Sequence, residues 1–267
     1  MNASDADLPP RIGILDSGVG GLSVLREIRK LLPRSPIHYV GDSAWCPYGS
    51  KSPERICERV TEITDYLLGH GAAIVVIACN SATIHAVGSL RASYPVPIVG
   101  MEPAVKPAAA LTRSGVVGVL ATEASLAGEK FHRLLDVHAH EIRVITLPCP
   151  RFVELVEAGV LTGPEAENAV DDALRPLLEA GADVFVLGCT HYPFLRPVIE
   201  SRLPEGMTVV DTGPAVARRV ASLLPPPDDT LPEGDVRIET TGSLELLAAI
   251  LPRLLPDLAP SLGACPV

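Results

Sequence analysis

A short apolar run that ends in a cysteine occurs twice in this chain, and it constrains the fold more than any other feature. VVIACNSAT begins at Val75, and VFVLGCTHYP begins at Val184. In each run, mostly β-branched residues lead to a cysteine, Cys79 or Cys189, and a small polar residue and a helix-like stretch follow. Two strands that each deliver a thiol at the carboxyl end would let two sulfurs face each other. Such a pair suits the movement of a proton from one face of a carbon atom to the other.

Apolar strand-like runs alternate with helix-like runs along nearly the whole chain. The runs are short and continuously apolar, which is typical of parallel strands that are buried on both faces. They begin at Arg11, Pro36, Ala73, Pro97, Gly115, Glu141, Asp183 and Met207. Helices are expected at residues 23–32, 53–70, 125–135, 165–180, 214–224 and 243–255. The pattern predicts the α/β class.

An internal repeat predicts two similar parallel-sheet α/β domains related by pseudo-symmetry. IGILDSGVGGLSVL from Ile12 resembles VGVLATEASLAGEKF from Val117, and each segment precedes its cysteine run by a similar interval. We expect a first domain of residues 11–102 plus 212–267, a second domain of residues 103–211, and a flexible N-terminal tail of residues 1–10. Ligands of such sheets bind beyond the carboxyl ends of the strands, so both cysteines are expected to line an interdomain cleft.

The charge and hydropathy of the chain disfavour several classes of partner. The net charge of −10 does not suit nucleic acid or an anionic membrane surface. No apolar run reaches the roughly 18 residues that a membrane span needs, and no signal-peptide core follows the first residues. We therefore expect a cytoplasmic protein whose six cysteines are mostly reduced.

Polar neighbours distinguish the two repeated cysteines from ordinary buried thiols. Side chains and backbone donors after each cysteine can bind a carboxylate at a helix N-terminus, where the pKa of a thiol also falls. His191 is placed to assist deprotonation of Cys189, and Asp16 to assist Cys79. Inert buried thiols and a metal site are the alternatives, although Cys-x-His is not a zinc pattern. The polar residues after the cysteines are Asn80, Ser81, Thr190 and His191.

Small-residue loops follow the first two predicted strands. Residues 16–21, DSGVGG, can turn sharply and present N–H groups to an anion. A dinucleotide fingerprint is a weaker interpretation, because it needs a third glycine where the chain has Ser23. A turn with a purely structural role is a third interpretation. Residues 41–49 are either an ordinary connection or a substrate-binding loop that closes Tyr48 and Gly49 over the cleft.

The spacing of the other titratable residues does not by itself predict a functional site. Glu154 and Glu157 would by default be solvated charges on a helix. His38 and His70 are expected at surface or structural positions without partners. Their positions in the sequence therefore do not predict a second functional site.

Five motifs in the chain resemble those of the glutamate racemases, a family of cofactor-independent amino-acid racemases. They occur in the family's order and span nearly the whole chain. The GVGG and GCTHYP forms resemble glutamate racemases more closely than aspartate racemases. The motifs are DSGVGGLSVL from Asp16, PYG from Pro47, ACNSAT from Ala78, CPRFVELVE from Cys149 and LGCTHYP from Leu187.

The resemblance implies a role for each matching residue. Cys79 and Cys189 would be the two acid/base residues, with Cys79 acting on D-glutamate, and Asp16, His191 and Glu157 would support them. Glutamate would be contacted by Asp16, Ser17, Tyr48, Gly49, Asn80, Ser81, Thr122, Thr190 and His191, where the match at Thr122, like that at Ser125, is weaker.

The resemblance also implies an activity and its setting. It implies racemisation of glutamate without a cofactor or metal, which supplies D-glutamate for peptidoglycan, and it allows a homodimer. Trp45 departs from the pattern, since many members have arginine there. A racemase of aspartate or another acidic amino acid, and a non-catalytic amino-acid-binding module of the same fold, are the alternatives.

Overall fold

Two parallel β-sheets form the framework of the chain in a computed structural model, which describes residues 9–138, 142–226 and 230–267. One sheet has the order β10-β9-β2-β1-β3-β4, and the other has the order β6-β5-β7-β8, with each neighbouring pair parallel. The α/β class and the parallel sheets are therefore confirmed. The strands are β1 (Arg11–Asp16), β2 (Ile37–Gly41), β3 (Ala72–Ile77), β4 (Ile98–Val99), β5 (Val116–Ala121), β6 (Arg143–Pro148), β7 (Val184–Leu187), β8 (Thr208–Asp211), β9 (Val236–Thr240) and β10 (Ser261–Ala264).

Helices pack on the sheets and bury the apolar runs. Ile14, Leu15 and Val76 are fully buried in the central strands, as expected for parallel strands that are covered on both faces. The helices are α1 (Leu22–Leu31), α2 (Pro53–Gly69), α3 (Asn80–Ser93), α4 (Val105–Leu111), α5 (Glu123–Ala127), α6 (Glu129–His138), α7 (Pro150–Glu157), α8 (Pro164–Glu179), α9 (Arg196–Arg202), α10 (Gly213–Leu223) and α11 (Leu244–Leu254).

The internal repeat appears as a repeated strand order. The sequence β2-β1-β3-β4 in the first sheet matches β6-β5-β7-β8 in the second. The central strands β1 and β5 carry the two halves of the repeat, and β3 and β7 precede the two cysteines. The division into domains at residues 102 and 211 stays a prediction, and residues 1–8 of the predicted tail lie outside the described residues.

The part of the chain after Thr212 joins the first sheet. Helix α10 packs against α1, and strands β9 and β10 extend the sheet beyond β2. The sequence did not predict β9 or β10, because both are short and β9 alternates charged and apolar residues. Within the described ranges, no helix is long and apolar enough to cross a membrane.

Two helix predictions need correction. The helix expected at residues 125–135 is divided into α5 and α6 at Gly128, whose backbone is extended. The stretch after Cys189 is not a continuous helix, since a 3-10 helix, Tyr192–Phe194, precedes α9. Pro193 and Pro197 account for the interruption, because a proline removes a backbone donor. The two cysteines therefore stand in different local contexts.

The expectation that His38 and His70 lack partners is wrong. His38 is a residue of β2 with an almost completely buried side chain, and its Nε2 atom is 2.7 Å from Glu239 Oε2. The hydroxyl of Tyr66 donates to the same Glu239 oxygen at 2.9 Å. His70 Nδ1 lies 2.7 Å from the carbonyl oxygen of Tyr66. A glutamate on β9, a strand missed in the sequence, supplies the partner of His38.

Candidate active site

Both repeated cysteines line one small cavity beyond the carboxyl ends of β3 and β7. Cys79 follows β3 as the N-cap of α3, and Cys189 follows β7. Each cysteine is more than nine-tenths buried. The cavity is lined by Ser17, Cys46, Pro47, Tyr48, Gly49, Cys79, Asn80, Ser81, Thr122, Ser125, Val153, Cys189, Thr190 and His191. Residues of both sheets therefore meet at one site.

The surroundings of Cys79 favour its neutral thiol. Its Sγ atom accepts the N–H of Ala82 at 3.5 Å and donates to the hydroxyl of Ser17 at 3.7 Å. Burial, and secondarily the negative charge of Asp16, raise the pKa of Cys79 to about 12. The helix N-terminus lowers the pKa too little to offset burial. Cys79 is therefore protonated at neutral pH.

The surroundings of Cys189 contain a charged pair. His191 Nδ1 lies 3.6 Å from Cys189 Sγ, and His191 Nε2 lies 2.6 Å from Glu157 Oε1. Burial lowers the pKa of His191, but its contacts with Cys189 and Glu157 outweigh this effect and raise the pKa well above its usual value. Burial raises the pKa of Glu157, but the contacts with His191 and the N–H of Val19 hold it below its usual value. A protonated imidazole therefore lies beside Cys189, stabilised by a carboxylate.

Asp16 lies at the end of β1 and is fully buried. It accepts hydrogen bonds from the N–H of Gly18 at 2.8 Å and from the hydroxyl of Thr190 at 3.0 Å. Burial raises the pKa of Asp16 to about 6, although His191 and these hydrogen bonds oppose the shift. The carboxylate thus changes its charge close to neutral pH, next to a threonine of the cavity wall.

The glycine-rich loop, residues 16–21, passes close to Glu157 and His191, and its backbone N–H groups donate hydrogen bonds to the carboxylates of Asp16 and Glu157. A Cβ atom on Gly18 would collide with the Glu157 carboxylate, and one on Gly20 would collide with the His191 ring. The N–H of Val19 donates to Glu157 Oε1 at 2.9 Å. The loop was expected to bind an anion, and the anions that it binds here are the carboxylates of Asp16 and Glu157.

Most of the predicted substrate contacts lie in the cavity wall. Asn80 Oδ1 is buried and has no hydrogen-bond partner among the described residues, so it is a free acceptor. The hydroxyls of Thr122 and Ser125 are 2.9 Å apart. The hydroxyl of Tyr48 is directed to Asp42, at 2.7 Å. The predicted residues Ser17, Gly49, Ser81, Thr190 and His191 also line the wall.

Asp16 and Glu157 lie behind the wall and reach the cavity through Thr190 and His191. Glu157 is on α7, and its side chain is 25% exposed. Its default interpretation as a solvated helix charge is therefore wrong. The direct contact with substrate that was expected of Asp16 stays a prediction.

Three wall residues were not expected from the sequence, namely Cys46, Pro47 and Val153. Cys46 Sγ lies 4.0 Å from Glu157 Oε1. The sequence feature that indicates a place for Cys46 in the cavity wall is its position directly before the PYG motif. Among the described residues, no group of three or more His, Cys, Asp or Glu side chains is arranged to hold a metal ion.

Comparisons with known proteins identify similar sequences and similar structures. The family model described as Asp/Glu/Hydantoin racemase matches residues 12–220. A glutamate racemase of Ectopseudomonas mendocina is 51% identical over 262 residues, which are 97% of this chain and 98% of that protein. The crystal structure of Escherichia coli glutamate racemase, in complex with L-glutamate and the activator UDP-MurNAc-Ala, superposes with a TM-score of 0.86 and 37% identity, covering 96% of this chain and 98% of that chain. The Francisella tularensis glutamate racemase, in complex with D-glutamate, superposes with a TM-score of 0.80 and 25% identity, covering 96% and 97%.

Proposed function

The chain belongs to the Asp/Glu/hydantoin racemase family, and from that premise we propose that it interconverts L- and D-glutamate by proton transfer at Cα between Cys79 and Cys189. The observation that carries the proposal is the position of the two thiols. They follow equivalent strands of two similar sheets and line one cavity. Inversion of a stereocentre by proton transfer needs a base on one face of the carbon and an acid on the other.

The two cysteines lie in different electrostatic surroundings. Cys79 is a thiol, because burial raises its pKa to about 12. His191 Nδ1 lies 3.6 Å from Cys189 Sγ, so the positive charge of the imidazole faces the sulfur. In this state Cys189 removes the Cα proton of L-glutamate, and Cys79 delivers its proton to the opposite face. D-glutamate reacts by the reverse transfers, from Cα to Cys79 and from Cys189 to Cα.

The wall residues bind the parts of glutamate that do not react. The free Oδ1 atom of Asn80 accepts an N–H of the substrate ammonium. Hydroxyl donors such as Ser17, Ser81 and Thr122 receive the carboxylates. Ser17, Asn80 and Ser81 are each more than nine-tenths buried, so these interactions act at a lower dielectric than in water. Fixed donors then stabilise the charge that develops on the α-carboxylate as the proton leaves.

We further propose the setting in which the reaction takes place. The protein works in the cytoplasm, as a homodimer, and its D-glutamate enters peptidoglycan. The activator in the Escherichia coli complex is a muramic acid derivative, which supports a link between that relative and the cell wall.

Circular dichroism of L-glutamate incubated with purified protein, without added pyridoxal phosphate, tests the proposal. The signal should decay to zero, while L-aspartate in a parallel sample keeps its signal. Cys79→Ser and Cys189→Ser should each suppress the decay. Cys57→Ser is the matched control, because Cys57 lies on α2, away from the cavity lining. Decay with aspartate alone would reassign the substrate, and no decay with either would leave a binding module.

A further inference from the structure

One side of the cavity is closed by residues 42–49, which we call the strap. The strap connects β2 to the helical segment before α2, and its Cys46, Tyr48 and Gly49 line the cavity. Gly49 faces the second sheet's side of the cleft, since a Cβ atom placed on it would lie 3.4 Å from Ala124 Cβ in α5. The strap therefore spans from the first sheet to a helix next to the second.

Asp42 anchors the beginning of the strap. It is fully buried, and both of its oxygens are saturated by fixed donors. Oδ1 accepts from Arg59 Nη2 at 2.7 Å and from Thr241 Oγ1 at 2.7 Å. Oδ2 accepts from Arg59 Nε at 2.9 Å and from the Tyr48 hydroxyl at 2.7 Å. Tyr48, near the end of the strap, is thus tied to its beginning.

Arg59 holds the strap at two points. Its guanidinium makes a bidentate pair with Asp42, a geometry that gives both strength and orientation. Its Cζ atom also lies 5.2 Å from the ring centroid of Trp45, in the middle of the strap. Arg55 stacks on the same ring at 5.0 Å. Cation–π contacts of this kind are stronger where the cation is desolvated, and Arg59 is more than nine-tenths buried.

We propose that Arg59 is a positioning residue that holds the strap closed over the cavity and thereby sets the affinity for glutamate. We call the contacts of Arg59 with Asp42 and Trp45 the clamp. The identity of the ligand rests on the proposed function, whereas the clamp does not. Neither reactive cysteine belongs to the strap, nor do Asp16, Glu157 and His191. A looser strap therefore weakens binding of the ground state and the transition state alike, which raises KM and leaves kcat nearly unchanged.

The fluorescence of Trp45 reports directly on how firmly the strap is held, because Trp45 is the single tryptophan of the chain. Arg59→Lys keeps the charge and loses the planar bidentate pair. In this variant, acrylamide should quench Trp45 more strongly than in the unaltered protein, before any ligand is added. The KM for both enantiomers of glutamate should rise about tenfold, with kcat within about twofold. Saturating L-glutamate should reduce the quenching in both proteins.

Two further variants make the test decisive. Glu62→Gln is the matched control, since it removes the negative charge of an exposed partner of Arg59 at 3.0 Å and leaves Asp42 and Trp45 unaltered. Both its quenching and its KM should stay unchanged. Trp45→Leu removes the stacked contact and keeps the pair of Arg59 with Asp42, so its KM should rise less than that of Arg59→Lys. It serves as the second test if thermal melts show that Arg59→Lys does not fold, and an unchanged KM would then overturn the proposal.

The outcomes separate the clamp from the function. Unchanged Trp45 quenching in folded Arg59→Lys would overturn the clamp, whatever the kinetics. Stronger quenching with an unchanged KM would overturn the link to affinity. Stronger quenching in a protein that racemises nothing would support the clamp and refute the proposed activity.

Discussion

Replacing Glu157 by glutamine tests the charged pair that we place beside Cys189. The substitution keeps the size and the hydrogen-bonding ability of the side chain but removes the carboxylate charge that faces His191 Nε2 at 2.6 Å. The pKa of His191 then falls, because burial lowers it and the contact with Cys189 opposes burial without the help of the Glu157 charge. The imidazole then carries less positive charge beside Cys189 Sγ, so it supports the proton transfer less well and the reaction slows.

The size of the effect follows from the geometry. Charge centres of a pair in contact are roughly 4 Å apart, and an effective dielectric constant of about 20 gives an attraction of about 4 kcal/mol. The side chain of Glu157 is 25% exposed, so water screens part of this attraction, and glutamine retains a hydrogen bond. We take about half, ~2 kcal/mol, which corresponds to a fall of about 30-fold in kcat/KM.

The assay measures kcat/KM from each enantiomer, together with the pKa of His191 by nuclear magnetic resonance. Both directions must fall by the same factor, because the equilibrium constant of a racemisation is one. Glu154→Gln is the matched control on the same helix, where the side chain is 61% exposed and pairs with Arg151, and it should change kcat/KM less than about twofold. A Glu157→Gln enzyme with kcat/KM close to the unaltered value and an unshifted His191 pKa would refute the reasoning.

Three further predictions follow from the same structure. Serine at Cys79 or at Cys189 should lower kcat about 10³-fold in polarimetric assays, because a hydroxyl is a much weaker acid than a thiol; a variant that keeps a tenth of the activity would contradict the two-base account. The value of kcat/KM should fall as pH drops through about 6, where Asp16 takes up a proton, and a pH profile of Asp16→Asn should lack this step. Asp183→Asn should lower the free energy of unfolding at pH 7 by about 1 kcal/mol after allowance for solvent screening. Burial raises the pKa of Asp183, but hydrogen bonds from residues 112–114 outweigh it and hold the pKa at about 2 instead of 3.8. This stabilisation is present above pH 3.8 and lost as pH falls toward 2, so urea melts of the two proteins should converge there.

The framework of the fold could be predicted because its signals are local. Continuously apolar runs predict buried parallel strands, and the duplicated cysteine runs became β3 and β7 with their turns. Strands β9 and β10 were missed, since a short run such as VRIET alternates like a half-exposed strand and its position beside β2 depends on distant pairing. The break in the helix after Cys189 comes from Pro193 and Pro197, which are a local signal in the sequence.

The candidate site could be predicted only in part, because its decisive contacts join distant segments. The repeat and the family motifs predicted both cysteines, and the structure brings them to one cavity. Helix periodicity alone would leave Glu157 in solvent, yet its carboxylate meets a histidine 34 positions later. The contacts of Asp42 with Arg59 and Thr241 join three segments and leave no local pattern. Long-range charge pairing of this kind becomes visible only in three dimensions.

Deuterium incorporation at Cα during early turnover in D₂O tests the central claim most directly. With L-glutamate as substrate, the account predicts that the D-glutamate formed carries deuterium, while the remaining L-glutamate keeps its protium. The reason is that one thiol removes the proton and a second thiol, already exchanged with solvent, returns a deuteron to the other face. Deuterium that enters the remaining L-glutamate as fast as the D-glutamate product would show a single base serving both faces and would contradict the account.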